Sequence, residues 1–293
     1  MASHNNPLLA CEITAERVIA ARATDGGNTI DLVSARTLPA GAVTPMLAGA
    51  NVLSPAALRD AITDAIAAVG ARSRDLIAVI PDSAVRIALL DFDELPEKPQ
   101  DADPVIRFRL KKSLPFDVDQ AALSYDVHRG NGNLKVVAAV APGAVLQEYE
   151  TAFRDAGFNP GVVLPSMLAA LAPVDPVEPT LVVKIDAATT SVAIVQHDDL
   201  LLYRTLENPY GARLDAATLA EDIYPSLVFF QDNYGLKIER ILLGGLTSAR
   251  EFGPALEAQT GAHVADLLSS SQFSQPGGLP ASLLAPVVGA LLG

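Results

Sequence analysis

One pattern constrains this chain more than any other. An apolar strand, a turn, two further strands, a helix and another buried strand occur in that order twice. In the first half, Leu8 to Ile13 and Arg17 to Ala23 read as strands around a short turn, and a third strand falls near Thr29 to Ala35 after the turn signal Gly26-Gly27-Asn28. Ser54-Pro55 reads as N-cap and first helical position. Leu58, Ile62, Ile66 and Val69 follow at helical spacing, Gly70 stands where a C-cap glycine belongs, and Leu76 to Ile80 reads as a buried strand. In the second half, Thr180 to Ile185, Ser191 to Gln196 and Leu200 to Leu206 read as the three strands. Leu219, Ile223, Leu227 and Phe230 mark the helix, and Pro225 inside it predicts a kink, or a break with a second helix beyond. Arg240 to Leu243 is a strand running into Gly244-Gly245, followed by a helix near Ala249 to Gln259 and a last strand, His263 to Leu267, that looks buried. Two copies of so long a unit predict two related lobes rather than a solenoid, whose repeats are much shorter.

Proline-rich stretches mark the joints. Ala172 to Pro179 carries Pro173, Pro176 and Pro179, and rings at every third position favour an extended connector. Asp93 to Pro104 reads as a polar, proline-punctuated loop. An insertion covers about Ala84 to Val140: a strand from Val85 to Phe92, a helix from Val105 to Leu114, and a hairpin of Ala122 to His128 and Leu134 to Ala141 joined by Gly130-Asn-Gly-Asn133. The chain then returns through a helix near Pro142 and a strand around Val162. The expected division is a first lobe of 8–83 and 141–172, with 280–293 packing back on it, an inserted subdomain of 84–140, and a second lobe of 173–279.

Composition removes several function classes. Half of the residues are hydrophobic and 19% are charged, so the chain is not disordered. A formal net charge of -13 repels phosphate backbones and anionic leaflets, so neither nucleic acid nor broad membrane adhesion is expected. Cys11 stands alone, which rules out an internal disulfide and fits a reducing compartment. The start lacks the basic and apolar regions of a signal peptide, and the charge-free tail from Gln275 to Gly293, broken by Pro276, Pro280 and Pro286, reads as a buried terminal helix rather than a membrane span. His4, His128, His197 and His263 have no metal-ligand spacing, there is no Walker loop or nucleophile elbow, and the polar loop Ser269 to Pro276 carries no chemistry. No metal site and no catalytic residue is expected.

The run Ile80-Pro-Asp82, then Arg86, Leu95-Pro96 and Arg107-Phe-Arg-Leu-Lys-Lys-Ser-Leu-Pro-Phe116, resembles the PilM family. So does Leu134-Lys-Val-Val-Ala-Ala-Val-Ala-Pro142, followed by Tyr149 and Ala156-Gly157-Phe158, and the match is collinear from about Leu8 to Leu292. The resemblance implies a two-lobed, actin-like (ribonuclease H-like) α/β fold related to FtsA, with a small α/β subdomain inserted in the first lobe. It also implies a cytoplasmic scaffold at the inner face of the inner membrane, which binds the N-terminal peptide of a PilN-like membrane protein and couples motor and pilus-assembly components. The cytoplasmic part of the type II secretion protein GspL looks similar. An actin-like ATPase or a sugar-kinase-like phosphotransferase is the enzyme alternative.

Actin-like proteins hold nucleotide between two strand turns, each with an Asp two residues before a Gly. The Asp organises hydrated metal, and the Gly and small hydroxyl residues let amides approach phosphate. By this resemblance the first turn is Glu12, Thr14, Ala15, Glu16 and Arg17, with Glu12 at the Asp position and Thr14 at the Gly position. The second is Lys184, Asp186, Ala187, Thr189 and Thr190, with Lys184 and Asp186 at those positions, and Gly244-Gly245 matches the turn near the adenosine. Lysine cannot ligate magnesium, and added carboxylates repel phosphate, so ATP and Mg are expected to bind weakly or not at all. Glu12 and Lys184 either bridge the lobes or are each solvated.

Arg107, Arg109, Lys111 and Lys112 cluster on the insertion helix above the apolar stripe Ile106, Leu110 and Leu114, with Pro115-Phe116 closing it. They read either as a solvated face or, by the resemblance, as the docking surface of the PilN-like peptide, formed by Arg86, Arg109, Lys112, Pro115 and Phe116. Arg86 either contacts that peptide or pairs with Asp91 or Asp93.

Overall fold

The computed structural model describes residues 8–24, 29–129, 133–268 and 278–293. The turn signal at 26–28, residues 130–132 of the hairpin loop, the polar loop 269–276, residues 275–277 of the tail and His4 lie outside the described residues.

The first lobe opens with β1 (Leu9–Ile13), β2 (Arg17–Ala23), β3 (Ile30–Thr37), α1 (Pro55–Ala68) and β4 (Asp75–Ile80). The insertion follows as β5 (Arg86–Phe92), α2 (Pro99–Leu110), β6 (Ala121–Arg129) and β7 (Leu134–Pro142). The lobe is completed by α3 (Gly143–Asp155), β8 (Asn159–Pro165) and α4 (Ser166–Leu171). The second lobe contains β9 (Thr180–Ile185), β10 (Thr189–Gln196), β11 (Asp199–Glu207), α5 (Ala216–Tyr234), β12 (Arg240–Gly245), α6 (Ala249–Thr260) and β13 (His263–Asp266), and the chain ends in α7 (Ala285–Leu292).

The repeated pattern becomes two five-stranded sheets of one topology, β3-β2-β1-β4-β8 and β11-β10-β9-β12-β13. In each, the central strand runs antiparallel to its hairpin partner and parallel to the strand after the helix. A strand covered on both faces reads as a continuous apolar run. β1 and β9 do so, and every residue in both is buried. Each contains one charged residue, Glu12 in β1 and Lys184 in β9. Pairs of apolar strands thus carry two charges to the middle of the molecule, where burial demands partners for them.

The insertion folds as the antiparallel sheet β5-β7-β6. Strand alternation divides its residues. Val136, Ala138 and Val140 face α2 and pack with Ile106 and Leu110, whereas Ile87 and Ala141 join the core of the first lobe. The terminal helix α7 is buried along nearly its whole length and packs on α4, where a Cβ on Gly289 would overlap the carbonyl of Ala169. Among the described residues no helix is long and apolar enough to cross a membrane.

Three details depart from the sequence reading. α2 begins at Pro99 and includes Pro104, so the segment read as loop is helix, and the chain leaves the helix at Leu110 instead of Leu114. Pro99 sits at N1, where a missing N–H costs nothing, and the exposed Pro104 sacrifices one bond. α5 runs uninterrupted through Pro225, which is exposed, so the carbonyl it frees one turn earlier faces water. His263 is exposed and bonds Glu257 at 3.0 Å instead of entering the core.

Candidate functional site

The two central charges line one small crevice between the lobes, about 20 Å³ in volume, together with Thr14, Arg17, Asp186 and Gly245. That space holds about one water. Lys184 stands in register between Ser191 of β10 and Gly244 of β12, and its side chain is 1% exposed. Its ammonium meets Asp82 at 3.3 Å and also bonds Asp186. Asp82 comes from the first lobe, in the short turn after β4, and is fully buried. Its Oδ2 accepts from Lys184 and from the Ser191 hydroxyl at 2.7 Å. Its Oδ1 accepts from the Met167 amide at 2.7 Å and from the Tyr203 hydroxyl at 3.3 Å. A carboxylate of one lobe is therefore saturated by a lysine, a serine and a tyrosine of the other.

Glu12 accepts from the Ser166 hydroxyl at 2.5 Å. Burial pushes its carboxyl up to about 8, opposed by Lys184 and reinforced by Asp186 and Asp82. Burial alone would lower Lys184, but Asp186, Asp82 and Glu12 outweigh it and hold the ammonium charged above its usual range. Burial also raises Asp186, against the pull of Lys184. Burial thus biases Glu12 towards its neutral form, beside a lysine that contacts both Asp82 and Asp186.

Neither alternative for Glu12 and Lys184 holds: both are buried instead of solvated, and within ion-pair distance Lys184 meets Asp82 and Asp186 instead of Glu12. Sequence reading missed Asp82, Ser166, Ser191 and Tyr203 as its neighbours. The available signal was the lysine itself, because an ammonium in an apolar strand requires counter-charges and Asp82 lies directly after a buried strand.

The first of the two strand turns largely satisfies itself, whereas in the second the buried Thr190 hydroxyl has no partner. The Thr14 hydroxyl accepts from the amides of Glu16 (3.3 Å) and Arg17 (3.1 Å) and donates to the Arg17 carbonyl. Glu16 pairs with Arg17 at 3.0 Å. In the second turn the Asp186 amide donates to the Thr189 carbonyl, while Thr189 and Thr190 are buried. Ala15 and Ala187 line a neighbouring cavity of about 920 Å³ that also contains Arg17, Arg36 and Met46. Gly244 packs against Leu267. Gly245 has φ +81°, and a Cβ there would overlap the Ile185 carbonyl, so this glycine is explained by backbone contact where β12 ends beside β9.

In the insertion, Arg86 is exposed and pairs with neither Asp91 nor Asp93. The Arg109 guanidinium lies 5.8 Å from the centre of the Phe92 ring. Lys112 and Pro115 are exposed, and Phe116 is half-buried against the insertion's own core. Arg107 is structural: it bonds Asp103 at 2.6 Å and the Ala121 carbonyl at 3.0 Å. A cleft of about 590 Å³ opens where the insertion, α4 and the β10–β11 turn of the second lobe meet, and none of the five expected residues lines it. Its walls are Asp126 and His128 of β6, Leu168 and Leu171 of α4, and Asp199 and Leu200 of β11.

The raised Glu12 carboxyl has a consequence for stability. The folded chain keeps a proton that the unfolded chain releases, so this contribution is full below about pH 4.5 and is lost as the pH rises towards 8. Glu12→Gln keeps the acceptor for Ser166 without the ionisation. In thermal melts the variant should match the parent near pH 4.5 and exceed it at pH 8, by about 2–4 °C for each kcal/mol recovered. A parallel pH dependence in both proteins contradicts the assignment.

No protein-family model matches the sequence, and no curated protein matches it. Among solved structures, the chain is similar to a PilM-PilN type IV pilus biogenesis complex, with a TM-score of 0.80, 19% identity and 98% of each chain covered. It is similar to the cytoplasmic domain of EpsL, an inner membrane component of the type II secretion system of Vibrio cholerae, with a TM-score of 0.56, 12% identity and coverage of 97% and 94%. It also resembles the ethanolamine utilization protein EutJ from Carboxydothermus hydrogenoformans, with a TM-score of 0.54, 11% identity and coverage of 97% and 88%. The chain therefore has the actin-like fold: two related lobes around a central crevice, with an α/β subdomain inserted in the first.

Proposed function

We propose that this chain is an assembly scaffold of the PilM type, which holds the cytoplasmic N-terminal peptide of a PilN-like membrane protein in a type IV pilus machine and no longer uses its crevice for nucleotide. The observation that carries this reading is the superposition of 98% of both chains, insertion included, on the structure of a PilM-PilN complex. The looser likeness to the EpsL domain keeps a type II secretion role as the neighbouring reading. The partner would place the protein at the inner face of the membrane and link it to other inner-membrane and motor components.

Four observations favour an empty crevice. By the family resemblance Lys184 stands at the metal-organising position and Asp186 at a glycine position, the Glu16 and Arg17 amides are already bonded to Thr14, and the enclosed space is about 20 Å³. A phosphate oxygen 4 Å from an added carboxylate is repelled by about 4 kcal/mol at an effective dielectric near 20. The 920 Å³ cavity beside the turns, with Arg17 and Arg36 in its wall, favours the enzyme alternative, an ATPase or phosphotransferase. Isothermal titration with Mg-ATP decides between them: no measurable heat is expected, and a low-micromolar dissociation constant removes the scaffold reading's empty crevice.

For the peptide's docking place our reading favours the 590 Å³ cleft over the expected α2 side. The cleft's lining combines apolar Leu168, Leu171 and Leu200 with Asp126, Asp198 and Asp199, and His128 and His197 also stand in its wall. Cytoplasmic segments next to a membrane are rich in Lys and Arg, which suits an acidic rim. Asp126→Lys with Asp199→Lys should weaken a PilN-like N-terminal peptide at least about tenfold in fluorescence anisotropy, about 1.4 kcal/mol. Phe116→Ala should change it little. The reverse pattern returns the peptide to the surface of Arg86, Arg109, Lys112, Pro115 and Phe116.

A further inference from the structure

Two helices carry outward faces that nothing in the proposed function uses. On α2, Val105, Phe108 and Arg109 fall at i, i+3 and i+4, so they share one face, and Lys112 follows in the turn just past the helix end. Phe108 is 77% exposed and Val105 38%. Arg109 and Lys112 edge the C-terminal end of this face, in a chain whose net charge is -13, while the exposed Asp101 stands one turn before Val105 at its N-terminal end. On α5, Tyr224 and Val228 lie one turn apart with Phe229 beside them, exposed by 63%, 36% and 50%. Exposed Glu221 and Asp232 bound this stripe, and no basic residue occurs between Arg213 and Lys237. Burial inside the molecule explains neither face, because Ile106 and Leu110 fill the inner side of α2 and Leu219, Ile223 and Phe230 that of α5.

We infer that the α5 face of one copy of this chain docks on the α2 face of the next. Phe108 and Val105 would meet Tyr224, Val228 and Phe229, and Arg109 and Lys112 would meet Glu221 and Asp232. The overall acidity repels copies of the chain from one another at random. An aromatic patch edged by lysine and arginine is a local exception that fits an aromatic patch edged by carboxylates. Aromatic and arginine side chains are also the types that dominate interface energetics. The two faces lie on different subdomains, α2 on the insertion and α5 on the second lobe, so the contact is heterologous. Such a contact adds copies head to tail unless its rotation closes a ring. The peptide groove lies on the other side of the insertion sheet, so self-association and peptide binding are separate properties of the surface.

Sedimentation velocity on the full chain tests this, with a paired charge reversal as the diagnostic. At low ionic strength the mean mass of the parent should rise with protein concentration and fall again on addition of salt. Phe108→Glu, at an exposed position, should weaken association at least tenfold while leaving the circular dichroism unchanged. Arg109→Glu with Lys112→Glu, and separately Glu221→Lys with Asp232→Lys, should each give monomers. Mixing those two variants should restore association, because each then presents the complement of the other. A parent that stays monomeric into the millimolar range overturns the inference. So does association that survives either charge reversal alone, which would indicate α5 pairing with itself, and so does a mixture that remains monomeric.

Discussion

A lysine ammonium buried in the middle of an apolar strand sets the terms for the rest of this structure. Taking such a charge from water costs several kcal/mol, which only close carboxylates and full hydrogen bonding can offset. Lys184 finds them in Asp82 of the opposite lobe and Asp186 of its own turn. Asp82 in turn is held by Ser191, Tyr203 and the Met167 amide, so every oxygen lone pair that faces the interior has a donor. The lobes are joined by chemistry built into the chain.

The same exchange explains the turns around it. Glycine in a phosphate turn leaves amides free and space open. Thr14 fills its turn with a hydroxyl that takes two of those amides, and Asp186 turns its carboxylate inward to Lys184. Burial raises the Glu12 carboxyl and favours its neutral form, which limits the negative charge around one lysine. The Asp82–Lys184–Asp186 contacts thus make the crevice a joint between the lobes.

Much of the fold is legible in the sequence because it rests on local periodicity. The repeated strand order, the helix opened by Ser54-Pro55 and ended near Gly70, and the inserted hairpin all follow from spacing and turn residues. Prolines misled where solvent decides: Pro104 and Pro225 are tolerated inside helices because their freed carbonyls face water, which a sequence does not reveal. At the site, Glu12 and Lys184 are identifiable as charges in apolar strands. Their true partners are not, since Asp82, Ser166 and Tyr203 reach them only through tertiary contacts far along the chain. The insertion residues were legible as a basic, aromatic cluster, but strand alternation in β6 and β7 decides which side of the sheet borders the groove.

The central claim is that the Asp82–Lys184 contact couples the lobes energetically. A double-mutant cycle of Asp82→Asn and Lys184→Met, followed by chemical denaturation, measures that coupling directly. The account predicts that the double variant is more stable than the sum of the single losses implies, with a coupling of about 1–3 kcal/mol. Losses that add to within about 0.5 kcal/mol would contradict it.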